Sequence, residues 1–236
     1  MTNSMNMNTN VGRNLGTGTS KVGKALMYTL AAVIIVIVLV VVIWAIVRAV
    51  KNRNKNTSFL ISGPVDAYNS NTNPKLKNGL EVKNSDEGLE FTYSLWIYIQ
   101  DWTRGWKNIL VKGSTNATAT GAGFNRAPGL WLYPNSNSLH ARITTFAAAN
   151  EGCDVKNIPL QKWVHIGYVL NNRTVDIYIN GKLERSCVLR GVPKLNEEKV
   201  HFGLNNGFFG KLSNVVYYRK ALNPDQIYSI YSGGPY

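Results

Sequence analysis

The stretch TVDIYINGKLERSCV, residues 174–188, decides the fold that this sequence predicts. Val175, Ile177 and Ile179 alternate with polar residues, which is the pattern of a strand with one buried face. The dipeptide Asn180-Gly181 favours a type I′ turn, because both central positions of that turn need a positive φ. The stretch therefore predicts a β-hairpin.

Strand patterns continue on both sides of this hairpin. The run Trp163–Leu170 is a further strand, which Asn171-Asn172 turns back into the hairpin. Other runs rich in β-branched and aromatic residues are separated by Gly, Asn and Pro: Leu89–Ile99, Asn108–Lys112, Gly129–Tyr133, Leu139–Thr145, Val200–Leu204 and Lys211–Arg219. Short strands at this spacing indicate an all-β sandwich or barrel. One short helix closes the chain, with Asn223 as its N-cap and Pro224 at its first position.

A second informative stretch lies near the N-terminus, ALMYTLAAVIIVIVLVVVIWAIV, residues 25–47. Its 23 residues carry no charge. As a helix they span roughly 34 Å, slightly more than the hydrocarbon core of a bilayer. A cleaved signal peptide fits poorly, because the apolar run is too long and no small-residue cleavage site follows it. We expect a single transmembrane helix with basic flanks that suit lipid headgroups: Lys21, Lys24, Arg48, Lys51, Arg53 and Lys55.

These patterns divide the chain into four regions. We expect a mobile basic tail over 1–24, the membrane helix over 25–47, a basic juxtamembrane linker and extended segment over 48–79, and the sandwich over 80–236. The formal net charge is +13, and about half of it belongs to residues 1–58, which hold seven basic residues and no acidic one. No nucleic-acid motif accompanies this charge, so we expect the lipid bilayer, and not nucleic acid, as its partner.

The two cysteines, Cys153 and Cys187, leave two interpretations open, a disulfide or two small buried thiols. They lack the further ligands that a zinc site needs. Two tight turns bring the strand that ends near Cys187 back alongside the strand that follows Cys153, so a bond is geometrically reasonable. A reducing cytosol would argue against it. We favour the disulfide, which would stabilise the domain by roughly 3–4 kcal/mol.

The block IPLQKWVHIGYVLNNRTVDIYINGKLERS, residues 158–186, resembles the core of the concanavalin A-like lectin/glucanase superfamily in its laminin-G-like branch. The stretch GKLSNVVYYRKALNPDQIYSIYSGG, residues 210–234, resembles the last strand and closing helix of that branch. The resemblance covers about residues 80–236. It implies a jelly-roll sandwich of two antiparallel sheets.

Three shorter stretches, CDVKNIPLQKW, RTVDIYINGKL and CVLRGV, are similar to membrane-anchored proteins of nucleocytoplasmic large DNA viruses. This similarity implies a minor virion component in the viral membrane that contacts capsid or neighbouring membrane proteins. Viruses of this group often encode a thiol oxidase, so a disulfide could form in a virion protein even if the domain faces the reducing cytosol.

The resemblance also raises the question of enzymatic activity, since glucanases of this superfamily use closely spaced carboxylates on one strand. The acidic clusters, Asp86, Glu87 and Glu90 and the pair Glu197-Glu198, do not meet that requirement. We therefore expect no catalytic residues, no metal site and no cofactor. The three histidines are isolated in the sequence, and we interpret His165 as a hydrogen-bonded core residue.

Carbohydrate binding is a further kind of site that the sequence allows. The loop QDWTRGWKN, residues 100–108, offers two ring faces beside amide and carboxylate groups, and its candidate residues are Asp101, Trp102, Trp106 and Asn108. Alternatively, one or both rings pack over the edge of the sandwich. The small-residue loop at 113–129 is either a mobile connection or a contact loop. We expect a membrane-anchored structural or interaction protein of a virion, with a membrane-tethered lectin that binds glycans as the alternative.

Overall fold

The computed structural model describes residues 21–68, 76–120 and 125–236. Most of the expected mobile tail, residues 1–20, lies outside the described residues. The chain divides between Lys51 and Asn52 into two compact units.

Helix α1, Lys21–Lys55, contains the apolar stretch and extends beyond it at both ends. Its segment Gly23–Lys51 is long and apolar enough to cross a membrane. The helix is longer than the expected 25–47 because Lys, Arg and Ala at its ends are good helix formers. Four of the flanking basic residues have described, exposed side chains on this helix: Lys21, Lys24, Arg48 and Lys51. The side chains of Arg53 and Lys55 lie outside the described part of the chain.

The second unit is a sandwich of two antiparallel sheets, which confirms the predicted jelly-roll class. The strands are β1 Thr57–Ile61, β2 Val65–Asp66, β3 Glu90–Ile99, β4 Lys107–Gly113, β5 Arg126–Leu132, β6 Leu139–Ile143, β7 Glu151–Val155, β8 Trp163–Asn171, β9 Thr174–Ile179, β10 Lys182–Val188, β11 Val200–Phe202 and β12 Gly210–Tyr218. Sheet A has the order β1-β12-β3-β8-β9-β10, with the short β2 also paired to β12. Sheet B has the order β11-β4-β5-β6-β7.

The predicted hairpin forms β9 and β10. Asn180 and Gly181 both have positive φ, 50° and 76°, as a type I′ turn requires. Val175 and Ile177 are fully buried in the core between the sheets. His165, on the neighbouring β8, is also fully buried, and burial lowers the pKa of its imidazole to about 4.

Three strands lie where the sequence analysis placed no strand. The strands β1 and β2 come from the segment expected to be linker, and both pair with β12 near the C-terminus. The strand β7 contains Cys153, in a stretch for which no strand was predicted. These strands have two to five residues, too few for a clear alternating pattern, and they form because partner strands are available in the sandwich.

Helix α2, Pro224–Ser232, follows the predicted Asn223 cap. The Asn223 side chain accepts a hydrogen bond from the Gln226 backbone at 2.9 Å, and the Gln226 side chain accepts one from the Asn223 backbone at 3.0 Å. This is a complete capping box. Ile227 on this helix is buried together with Val169 and Tyr178, so α2 covers part of the outer face of sheet A.

The predicted disulfide is present between Cys153 and Cys187, with their Cα atoms 6.1 Å apart. Cys153 lies on β7, an edge strand of sheet B, and Cys187 lies on β10, an edge strand of sheet A. The interpretation as two free thiols is therefore wrong. The bond closes one side of the sandwich by joining its two sheets covalently.

Candidate functional site

The outer face of sheet B carries a row of side chains built by strand register. Asn108 on β4 is opposite Trp131 on β5, Trp131 is opposite His140 on β6, and His140 is opposite Asp154 on β7. Directly opposed residues of an antiparallel pair point to the same face of a sheet. The four side chains therefore form one row across four strands.

His140 is the centre of a polar network in this row. Its Nδ1 atom lies 3.1 Å from the Tyr133 hydroxyl and 3.0 Å from Asp154 Oδ1, and its Nε2 atom lies 3.1 Å from the Ala119 carbonyl oxygen. Arg142 donates to Asp154 at 3.0 Å. Each polar atom of the imidazole thus has a partner, and the network ties β6, β7 and two loops together.

The network changes the pKa of His140, Asp154 and Tyr133. Burial, with the positive charge of Arg142, lowers the pKa of His140 despite the neighbouring Asp154. Burial alone would raise the pKa of Asp154, but the hydrogen bond and charge of Arg142 outweigh it and lower that pKa. Burial, together with the Asp154 carboxylate, raises the pKa of Tyr133. A neutral imidazole next to an ionised carboxylate and guanidinium is therefore favoured at neutral pH.

Trp106 adds an aromatic ring to the network. Its ring centre lies 4.8 Å from that of Tyr133 and 4.9 Å from that of His140. The Trp106 side chain is half-buried, whereas Asp154 keeps 40% of its side chain exposed. Trp106 and Asp154 thus each keep part of the side chain accessible to solvent, and both contact His140. We call Trp106, Tyr133, His140, Arg142 and Asp154 the sheet B cluster.

The start of the small-residue loop, residues 114–120, packs onto this face. Arg126, which is fully buried, donates from Nη1 to the Thr118 carbonyl at 2.7 Å and from Nη2 to the Ala149 carbonyl at 2.7 Å. Burial lowers the pKa of this guanidinium to about 10. Ala117 and Ala119 are buried against Trp131. This part of the loop is consequently ordered by the protein itself, while residues 121–124 lie outside the described residues.

The four residues predicted to bind carbohydrate fall into two environments. Trp106 belongs to the sheet B cluster, and Asn108 is buried beside it, with Oδ1 accepting from the Leu204 backbone at 3.0 Å. Trp102 donates from its ring to the Pro134 carbonyl at 3.1 Å and packs partly against the main core. Asp101 is exposed and caps the Trp102 backbone. Of the four, Asp101 is exposed, Trp102 and Trp106 are half-buried and Asn108 is buried. The role of these residues in carbohydrate binding stays a prediction.

Lys107 packs against the neighbouring Trp102 and links it to two backbone carbonyl groups. Its Nζ atom donates to the Gly105 carbonyl at 2.9 Å and to the Tyr133 carbonyl at 3.1 Å, and it lies 4.4 Å from the centre of the Trp102 ring. Burial lowers the pKa of this ammonium to about 8. Carbonyl groups and the ring face replace the water that the ammonium loses, so this lysine has a structural role.

Four members of the sheet B cluster were not predicted from the sequence as members of a site: Tyr133, His140, Arg142 and Asp154. His140 and Arg142 share one face of β6 in the stretch LHARI, and that alternation was the available signal. Asp154 joins them only through the pairing of β6 with β7.

Three of the five acidic residues weighed for catalysis have structural partners. Asp86 forms an ion pair with Arg219, Glu90 accepts a hydrogen bond from the Ala221 backbone, and Glu197 accepts one from the Asn84 side chain. Across residues 21–68, 76–120 and 125–236, no group of three or more His, Cys, Asp or Glu side chains is arranged to hold a metal ion.

Comparison with known proteins agrees with this architecture. The model of a laminin G-type family, described as the concanavalin A-like lectin/glucanases superfamily, matches residues 70–228. The chain belongs to this superfamily, and its sandwich has the lectin-like fold of that group. No curated protein matches the sequence.

The solved structures similar to the sandwich include a neurotoxin binding domain and a sialidase. The binding domain of botulinum neurotoxin serotype D has a TM-score of 0.51 at 16% identity, over 64% of this chain and 38% of that chain. A sialidase from Trypanosoma rangeli, in complex with a difluorosialic acid, has a TM-score of 0.46 at 20% identity, over 61% of this chain and 22% of that chain. The chain thus spans between a fifth and two fifths of these proteins. At such identities the likeness is one of fold alone.

Proposed function

We propose that this protein is a membrane-anchored interaction module, in which helix α1 holds a lectin-fold domain at a bilayer. The observation that supports the anchor most directly is the composition of α1. Its large apolar side chains are exposed on every face, from Leu26 at 63% and Val36 at 58% to Ile46 at 57%. A helix that is apolar all round needs lipid or a large protein core to cover it.

A more specific role follows from the sequence similarity described above. We infer that the protein is a minor virion component of a large DNA virus, and that it links the viral membrane to capsid or neighbouring membrane proteins. The three short similar stretches support this inference. A binding role suits the fold, and the acidic side chains engaged in structural contacts favour a module without catalytic activity.

The anchor is tested by extraction of membranes with alkaline carbonate. We expect the full chain to remain with the membrane pellet, because leaving the bilayer would expose the whole apolar helix to water. The control variant, Ile37→Arg with Val38→Arg, places two charges at the centre of the span. Each arginine raises the free energy of membrane insertion by roughly 2.5–3.5 kcal/mol. The variant should lose membrane insertion. Release of the unaltered chain into the supernatant would disprove the anchor.

The virion assignment needs a separate measurement. Mass spectrometry of purified particles should find the chain in a constant ratio to the known membrane proteins, before and after removal of external capsid layers. Its absence from particles, with the carbonate result intact, would leave a cellular membrane protein and remove the virion role.

A membrane-tethered lectin is the second candidate function, and the sheet B cluster favours it. A half-buried tryptophan ring beside an exposed carboxylate and a guanidinium offers both an apolar face and hydrogen-bonding groups. Binding sites commonly combine these two features. The sugar would contact Trp106 and Asp154 from the solvent side.

We expect Trp106→Ala to weaken any glycan binding by about tenfold or more, as is usual for a central aromatic contact. Binding is measured on a glycan array with the full chain in nanodiscs. The matched control is Trp163→Ala, a tryptophan that is also half-buried but lies on β8 of sheet A. Equal losses in both variants would place glycan binding elsewhere, and an unaltered protein that binds no glycan would exclude the lectin.

A further inference from the structure

A small apolar and cationic surface lies at the tips of two adjacent loops of the sandwich. The side chain of Phe146 is 75% exposed and that of Val192 is 45% exposed. Single exposed apolar residues are ordinary, but these two are neighbours, because the Phe146 backbone donates a hydrogen bond to the Val192 carbonyl at 2.9 Å. Together with Arg173, Arg190 and Lys194 they form what we call the Phe146 patch.

The two loops under the patch are fixed to each other. Thr145 and Pro193 form an antiparallel bridge, and the Lys194 backbone donates to the Thr144 carbonyl at 2.8 Å. A Cβ atom at Gly191 would come within 2.5 Å of Thr145 Oγ1, so the backbones are in close contact. The exposed ring of Phe146 is therefore presented by a rigid support, which lowers the entropic cost of inserting it into a partner.

The buried carboxylate of Glu151 completes this support. It accepts hydrogen bonds from the Thr145 hydroxyl at 2.6 Å and from the backbones of Arg190 at 2.5 Å and Gly191 at 3.2 Å. Burial would raise the pKa of this carboxyl, but the three hydrogen bonds together lower it. Because Glu151 is only 7% exposed, its negative charge lies beneath the patch and is used in holding the loops.

The charges that the patch presents to solvent are positive. Arg173, Arg190 and Lys194 are all exposed, and Lys194 Nζ lies 5.9 Å from the centre of the Phe146 ring. The guanidinium of Arg173 donates to the Leu189 carbonyl at 2.7 Å, which keeps its charge beside the loop. Lys194 thus lies next to the apolar ring, and Arg190 and Arg173 lie on and against the loop that carries Val192.

We propose that the Phe146 patch docks onto the surface of an anionic lipid bilayer, as a membrane contact separate from helix α1. Phe146 and Val192 would enter the boundary between headgroups and acyl chains, and the cationic groups would meet lipid phosphates and carboxylates. Charge complementarity selects the lipid surface, since each Lys or Arg near an anionic membrane strengthens binding about fivefold. The proposal does not depend on the virion assignment.

The test uses the full chain in nanodiscs of phosphatidylcholine alone, mixed with free vesicles and separated by flotation. The free vesicles contain phosphatidylcholine with or without phosphatidylserine. We expect co-flotation with the phosphatidylserine vesicles only, and weaker binding at high salt. Phe146→Ser should reduce binding about tenfold, and Arg190→Gln with Lys194→Gln should reduce it about 25-fold.

The chain offers a matched control in Phe59, which is 74% exposed on the edge strand β1. Phe59→Ser removes the same kind of side chain at nearly the same exposure. Because Phe59 lies outside the Phe146 patch, this substitution should leave vesicle binding unchanged. Equal binding to both kinds of vesicle, or equal losses in Phe59→Ser and Phe146→Ser, would overturn the proposal. Failure of the unaltered protein to bind either vesicle would also overturn it.

Discussion

Replacement of Trp131 by alanine is expected to lower the free energy of unfolding by about 3–5 kcal/mol, the usual range for a large buried aromatic residue. The Trp131 side chain is 2% exposed although it lies on the outer face of sheet B, because residues 114–120 cover it. Its ring lies across Gly129, where a Cβ atom would come within 2.2 Å of it. The guanidinium of Arg126 lies 5.6 Å from its centre. The substitution would leave a cavity beneath residues 114–120, and the buried guanidinium of Arg126 would lose its contact with the ring.

The measurement is denaturant unfolding of the full chain in detergent micelles, followed by near-ultraviolet circular dichroism. Trp163→Ala is the control, since that ring is half-buried and contacts Tyr98 and Tyr236 at the surface of sheet A. Its expected cost is only about 1–2 kcal/mol. A smaller loss for Trp131→Ala than for Trp163→Ala would contradict the role of Trp131 as the support of the loop.

Loss of the disulfide is expected to be the next largest effect. The double variant Cys153→Ala, Cys187→Ala removes a cross-link between positions 34 residues apart, and chain entropy assigns about 3–4 kcal/mol to a loop of that length. The bond joins edge strands of different sheets, so its loss also frees the two sheets to separate on that side.

Reducing agent provides the internal control for this prediction. Treatment of the unaltered protein should lower its unfolding midpoint to that of the double variant, while the double variant should not respond. If the free energies of unfolding of the unaltered protein and the double variant differ by less than about 0.5 kcal/mol, the cross-link does not stabilise the sandwich. A response of the double variant to reductant would show that the effect has another origin.

Local sequence signals were sufficient for the parts of the fold that depend on neighbouring residues. The Asn180-Gly181 turn and the Asn223 cap each encode their backbone geometry within a few residues. The apolar stretch in α1 does so by length alone. The disulfide was favoured from two consecutive turns, but it forms across the two sheets, since Cys153 lies on β7 of sheet B and Cys187 lies on β10 of sheet A.

The sheet B cluster could not be inferred in the same way. His140 and Asp154 meet through the register of β6 with β7, and Tyr133 joins them from the turn that follows β5. Register depends on the whole sandwich and not on any short stretch. The same reason applies to β1, which is a strand because β12, far along the sequence, is available to pair with it.

The position of β1 determines how the sandwich carries mechanical load. Helix α1 ends at Lys55 and β1 begins at Thr57, so tension applied to the helix reaches the sandwich first through this edge strand. Four residue pairs join β1 to β12, whereas a covalent bond ties the opposite edge strand, β10, to sheet B. We therefore expect β1 to be the first strand to detach under a pulling force on the helix. Its detachment lengthens the tether by roughly 17 Å while the cross-linked side of the sandwich stays closed.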